Sequence, residues 1–193
     1  MKKKLLALAA VVAVLAIIAV GTAAYFTSSE TAHNVITTGG VDIELVETAI
    51  GADGETVPFE NMTNVVPNTA VSKIVEVKNT GESTAYVRVR VEKAIALAET
   101  ATPADGEMPE ADLDLVQIDF NETDWTQQDG WYYYNKPLAS GESTTPLFTE
   151  VYFAADMSNL YQNSTATIDV AAQAVQSANN GGSALEAAGW PET

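Results

Sequence analysis

The chain has 193 residues with no cysteine, a single histidine (His33), and 9 Lys+Arg against 26 Asp+Glu. That composition excludes a disulfide framework, thiolate metal sites and a cysteine nucleophile, and it leaves His33 as the one imidazole for any triad or zinc centre. The negative charge repels nucleic acid and anionic membrane surfaces, and its plain use is to keep a domain soluble.

In chain order, Lys2, Lys3 and Lys4 precede an uncharged apolar run from Leu5 to Val20. The small residues Gly21-Thr22-Ala23-Ala24 follow, and then an aromatic pair, Tyr25-Phe26. This is the layout of a secretory signal over residues 1–24, with small side chains at Thr22 and Ala24 placing the cut between Ala24 and Tyr25. Leu5 to Ala24 also approaches the about 20 apolar residues of a membrane span, so an uncleaved anchor stays open beside the cleaved signal. Cleavage leaves 169 residues, enough for one domain with a sizeable core. Three of the nine cations and none of the acids lie in the signal, so the remainder carries a formal charge near −20. Residues 25–40 form a polar arm whose large apolar residues are Tyr25, Phe26, Val35 and Ile36. It ends at Gly39-Gly40, a hinge because both residues accept dihedrals that others avoid.

Residues 41–193 carry a succession of short strands. Val41 to Glu47 alternates, with Val41, Ile43 and Leu45 on one face. Gly51 to Gly54 is a turn, Val57-Pro58-Phe59 a short extended piece, and Val65 to Asn68 a loop fixed by Pro67. Val71 to Lys78 and Ala85 to Lys93 are the clearest pair, with Val75, Val77, Val87, Val89 and Val91 inward. Asn79-Thr80-Gly81-Glu82 between them has the composition of a hairpin connection, with Gly where positive φ is tolerated. Arg88 and Arg90 fall on the outward face, where cross-strand charge pairing is expected. Thr100 to Asp112 is an exposed loop. Leu113 to Phe120 alternates with Leu113 and Leu115 inward, and Trp125 and Trp131 to Tyr134 flank an Asp129-Gly130 hairpin turn. Leu147 to Ala154 is apolar on much of both faces, as in a central strand, and Met157 to Tyr161 suits one helical turn. Thr165 to Val175 alternates cleanly, its small alanines suited to close packing. Ser183 to Glu186 has the form of a capping box opening a short C-terminal helix, which Gly189 ends and Pro191 blocks, leaving Trp190 to pack on the body. Eight or nine such strands with almost no amphipathic helix predict an all-β fold, an antiparallel β-sandwich with a short C-terminal helix.

The run from Gly21 to Ile43 resembles the N-terminus of the TasA and camelysin family, whose signals go to a dedicated SipW-type signal peptidase. The shared features are the Gly-Thr-x-Ala-Tyr-Phe junction, Glu30, a polar arm with Asn34, and a Thr37-Thr38-Gly39-Gly40 step into Val41-Asp42-Ile43. A looser match continues at Asn79-Thr80-Gly81. The resemblance implies a jelly-roll-like sandwich, secretion to the matrix or surface of a Gram-positive-type bacterium, and extracellular biofilm fibres. In such fibres the freed arm enters the sheet of the next copy by donor-strand exchange, with Tyr25 and Phe26 as anchors and Val35 and Ile36 filling the acceptor groove. The implied partners are other copies of the chain and the peptidase, with an accessory matrix or anchoring protein as a further candidate.

Camelysin-like protease activity meets a chemical objection. A hydrolytic zinc site needs three protein ligands, commonly His-rich, plus a water. This chain has no H-E-x-x-H and one His, so neither an enzyme nor a resident cofactor or metal is expected. Asp119 to Asp124 carries calcium-ligand types at alternate positions but lacks the Gly and Glu of an EF-hand loop, since Asp124 and Gly130 stand there. The arm itself has two options: it folds back as an edge strand of its own sheet, or it pairs with another subunit and builds a filament. A monomeric or anchored surface-binding module is the alternative from another class.

Overall fold

The structure is a computed structural model that describes the backbone of residues 27–29 and 33–37 and, with their side chains, residues 40–60, 66–98, 106 and 109–192. The expected signal 1–24, including Ala24, lies outside the described residues, as do Tyr25, Phe26, Gly39 and most of the Thr100 to Asp112 segment. Eleven strands are formed: β1 (Thr27–Ser29), β2 (His33–Thr37), β3 (Ile43–Ile50), β4 (Thr56–Pro58), β5 (Thr69–Asn79), β6 (Ala85–Ala96), β7 (Val116–Ile118), β8 (Trp125–Gln128), β9 (Trp131–Tyr134), β10 (Phe148–Phe153) and β11 (Thr165–Gln176). They lie in two sheets packed face to face. One has the order β1-β11-β6-β9-β8 with β2 also on β11, and the other the order β4-β3-β5-β10-β7. Every pairing is antiparallel except those of β1 and β2 with β11. The chain changes sheet between β2 and β3, β5 and β6, β6 and β7, β7 and β8, β9 and β10, and β10 and β11. That repeated crossing ties the two sheets into one sandwich.

The alternating valines explain the strands. Val75 and Val77 of one sheet face Val87 and Val89 of the other, all four at 0 % exposure. In β11, Ile168, Val170, Ala172 and Ala174 point into the same core, and Val170, Ala172 and Ala174 pair with Val91, Val89 and Val87 across the β6 ladder. Burying one such valine contributes roughly 1.5–3 kcal/mol. β10 lies between β5 and β7, as its two-sided apolar character predicted. The β8–β9 hairpin turns at Asp129 (φ 52) and Gly130 (φ 80), the paired positive dihedrals of a type I′ turn.

Four local expectations are corrected. Asn79-Thr80-Gly81 is no hairpin, because β5 and β6 belong to different sheets and the turn arches between them. Its glycine does not take positive φ; it is required by proximity, since a Cβ on Gly81 falls 2.7 Å from the Asp42 backbone nitrogen. The backbone N–H groups of Thr80 and Gly81 both donate to the Asp42 carbonyl at 3.0 Å, and the Asn79 side chain, fully buried, donates to the Ser83 and Leu138 carbonyls while accepting from the Gly81 N–H. Leu113 is exposed at 38 %, because Leu113–Leu115 coil into a 3-10 turn capped by the Asp112 side chain and the strand begins only at Val116. Arg88 faces outward but pairs with aromatic rings rather than carboxylates. Finally, the C-terminal helix is absent: residues 182–186 form turns, and Glu186 accepts from the Gly182 N–H, one residue before the Ser183 amide that a capping box uses.

Asn79→Ala removes the hydrogen bonds to the Ser83 and Leu138 carbonyls, the second of which keeps the Ala85 N–H, and the acceptor of the Gly81 N–H, and should lower stability by about 1–3 kcal/mol. Gly81→Ala should cost a similar amount, about 1–3 kcal/mol, by pushing Asp42 off the turn. Urea melts with lowered midpoints at unchanged slope are the expected readout.

Candidate functional site: the berth of the N-terminal arm

β11 is twelve residues long and pairs along its whole length with β6 on one side. A bare opposite side would present a row of unpaired N–H and C=O groups, the feature that templates association with other chains. The structure covers it with the chain's own arm. Thr27–Ser29 pair with Thr165–Thr167, and His33–Thr37 with Val170–Ala174, both in parallel. Of the two options the sequence leaves open, this single chain takes the fold-back.

The register carries information. From Ser29 to His33 the arm advances four residues while β11 advances three, Thr167 to Val170. Side chains alternate faces along a strand, so a one-residue offset exchanges the faces beyond it. Extending the β1 register would set Val35 opposite Gln173, on the outer face. The observed register sets it opposite Ala172, whose side chain is fully buried in the core. Ile36 then stands opposite Gln173.

At the root of the arm, Gly40 has φ +73, and a Cβ added there would meet nothing within 4 Å, so its dihedral, not crowding, requires glycine. Two residues later Asp42 is held by Thr80 and Gly81 as described above. The chain is thus fastened from Asp42 onward and turns from one sheet to the other at Gly40. Sequence reasoning misses the clamp, whose signal is the Asn79-Thr80-Gly81 motif itself.

The outer face of the same sheet is overlaid by the C-terminal segment, residues 177–192. The Arg88 guanidinium lies 4.1 Å from the Trp131 ring centre and 4.6 Å from that of Trp190. Its Nε and one terminal nitrogen donate to Gln173 Oε1 at 2.9 and 2.6 Å, and the other donates to the Tyr133 hydroxyl at 3.2 Å. Trp190 meets Tyr133 edge-on at 5.9 Å, and Tyr86, Trp131, Tyr133, Val175 and Ala184 form a second apolar cluster beneath the segment. Asn180 ties it down by donating to the Gln176 and Ala188 carbonyls and accepting from the Ala188 N–H.

Several ionisable groups elsewhere have structural partners. Lys73 and Glu47 point into the sandwich and meet at 2.7 Å with side chains 3 % and 5 % exposed, and the ammonium lies 3.9 Å from the Phe59 ring centre. Burial pushes the Lys73 pKa down, against the opposing pull of Glu47. Asp119 accepts from the Thr149 and Glu150 N–H groups and the Thr149 hydroxyl, and Asp124 from Lys136 and Thr145. The Lys136 ammonium, with the Thr145 hydroxyl, holds the Asp124 carboxyl below its ordinary range. Among the described residues no cluster of three or more His, Asp or Glu is arranged to hold a metal ion, and no helix is long and apolar enough to cross a membrane. A shallow cavity of about 190 Å³, lined by Gln117, Ile118, Asp119, Glu150 and Tyr152, is smaller than the roughly 300–1,000 Å³ of small-molecule sites.

These features define an all-β sandwich whose longest edge is closed by its own N-terminal segment. Comparison with protein-family models, with curated proteins and with solved structures finds no match to this chain.

Lys73→Met strands the Glu47 carboxylate in the core and should cost about 3–5 kcal/mol, while Lys73→Met with Glu47→Leu should recover most of that loss. Chemical denaturation of both variants checks it. The depressed Lys73 pKa has a definite sign. Between that pKa and the ordinary 10.5 the unfolded chain binds more protons than the folded one, so stability should rise with pH in that alkaline window, and Lys73→Met should remove the rise.

Proposed function

We propose that this is an exported structural protein, not an enzyme, that assembles head to tail by passing its N-terminal arm from its own β11 to that of another copy. The observation that carries the reading is the pairing of a twelve-residue strand edge with a two-piece segment, Thr27–Ser29 and His33–Thr37, that precedes the rest of the sandwich. Swapping the arm exchanges one set of backbone hydrogen bonds for an identical set, so the two states differ little in free energy. A swap between successive copies does not close on itself and builds a filament. The resemblance to the TasA and camelysin family supports the same reading: signal removal at Ala24–Tyr25 by a SipW-type peptidase frees the arm, Tyr25 and Phe26 anchor it, and the fibres serve an extracellular matrix.

The geometry limits the assembly. From Thr37 to the Asp42 clamp is five residues, which span at most about 17 Å when extended. The acceptor strand of the next copy must therefore come within that reach, and subunits abut at the end of the sandwich carrying the Asn79–Gly81 arch. The charge near −20 per subunit opposes this approach.

Chains 25–193 and 41–193 should differ in electron micrographs, filaments forming from the first only, with circular dichroism confirming that the second is folded. Equal polymerisation of both would remove the arm from the mechanism. Light scattering from 25–193 should rise as salt is added or pH falls from neutral to mildly acidic, since both weaken repulsion between carboxylate-rich surfaces. A flat trace would count against charge-limited assembly.

A further inference from the structure

Gln173 sits on the outer face of β11, where Thr167, Asp169 and Ala171 are only half-buried, yet it is 1 % exposed. Its side-chain oxygen takes two hydrogen bonds from Arg88, and Arg88 is held between Trp131 and Trp190, with a further contact to the Pro191 carbonyl at 3.5 Å. On the arm side, Gln173 is the register partner of Ile36. Two residues on, Val175 lies beneath the C-terminal segment in the cluster that includes Ala184 and Trp190. Gln173 thus has the arm on one side and, on the other, Arg88, on which Trp190 of the C-terminal segment lies. Alternate register positions of β2 fall opposite the core residues Val170, Ala172 and Ala174; the position between the last two falls opposite Gln173, where the stack ending in Trp190 begins.

We infer that residues 177–192 are the outer wall of the arm's berth, and that Trp190 acts through Arg88 and Gln173 as a positioning residue that sets how tightly an arm is held. The chemistry at that wall is specific. A guanidinium pinned between two indoles cannot follow a displaced partner, so it fixes the Gln173 amide, and with it the outer surface of β11 at the Ile36 position. Loosening the C-terminus frees that surface without touching the β6–β11 ladder, which is held by twelve paired residues. The segment is well suited to such a role. Its own lock, Asn180 to Ala188, closes before Trp190, so Trp190 and Pro191 can lift while residues 177–188 stay in place. The inference deepens the proposed function by naming what regulates the acceptor site, and it rests on that reading for its biological use.

The test is hydrogen exchange by mass spectrometry on the 25–193 chain, comparing the parent with Trp190→Ala, with truncation after Ala188, with Gln173→Ala and with Trp190→Phe. Amides of β1 and β2 should exchange roughly tenfold faster in the first three variants, with β3 and β5 unchanged, because local opening and global unfolding are separable in this measurement. Trp190→Phe, which keeps a ring over Arg88, should restore most of the protection. Trp190→Ala combined with Gln173→Ala should be no faster than either alone, since both act through one stack. Unchanged arm exchange in all of the variants, or equal acceleration throughout both sheets, would overturn the inference. Exchange at the arm is read on the monomer, so the result stands whether or not the chain forms filaments; absence of filaments in the parent would sink the proposed function alone.

Discussion

A strand cannot end a sheet with its backbone half satisfied unless water or another chain completes it, and β11 makes that constraint acute. It runs for twelve residues, longer than a typical strand, with apolar residues at every second position on its inner face. Its inner alanines, Ala166, Ala172 and Ala174, bring the opposing sheet close and leave no bulky side chain to shield the edge. The fold answers with backbone. β1 supplies three paired positions along this edge and β2 five, and the offset between them sets Val35 opposite the core residue Ala172 although the β1 register alone would assign it to the outer face.

Without cysteine, the rest of the sandwich is fastened by polar groups at the points where the chain changes sheet. Asn79 bonds two carbonyls across the β5–β6 arch, Thr144 exchanges hydrogen bonds with Val77 through its hydroxyl and its N–H, and the Trp125 indole donates to the Thr145 carbonyl. The few cations serve the same purpose. Lys73 closes the inner side of the β3–β5 pair, Lys93 donates to the Leu113 and Val116 carbonyls where β7 begins, and Arg88 joins the C-terminal segment to two strands. An acidic chain thus places these positive charges inside or against its own backbone, and many of its carboxylates are left to solvent.

Local pattern in the sequence is enough for the strands, because period-two alternation is a property of each segment alone. Val75, Val77, Val87 and Val89 are legible as core, and Asp129-Gly130 as a tight turn. What each segment pairs with is a property of the whole chain, and there local reasoning fails. Asn79-Thr80-Gly81 has hairpin composition, yet the arch it forms answers to the approach of Asp42, thirty-seven residues before Asn79. Ser183 to Glu186 has the composition of a helix start, but the six residues from Ser183 to Ala188 are too few for a helix to form without tertiary support, and the support beneath them is an aromatic surface on which the segment turns instead. Abundant acids suggest a carboxylate partner for Arg88; the rings of Trp131 and Trp190, forty-three and one hundred and two residues away in sequence, lie beyond what spacing can reveal.

The arm differs from every other strand in how it is tethered. The nine strands from β3 to β11 follow one another within the sandwich, whereas the arm leads into it through the five residues from Thr37 to Asp42, Gly40 among them. That short tether gives it a high effective concentration at its own β11, in the millimolar range for short flexible links, so a neighbour's arm competes at a disadvantage in dilute solution. Because contacts in the two arrangements are the same, contact energy cannot decide between them. If the arm is exchanged between copies, the balance must come from what the closed monomer lacks: a high local concentration of subunits, extra surface buried where sandwiches abut, or reduced charge repulsion. Each of these acts through concentration, burial or electrostatics and none requires a change in the fold, so a single sequence can be stable both as a closed monomer and with its arm exchanged.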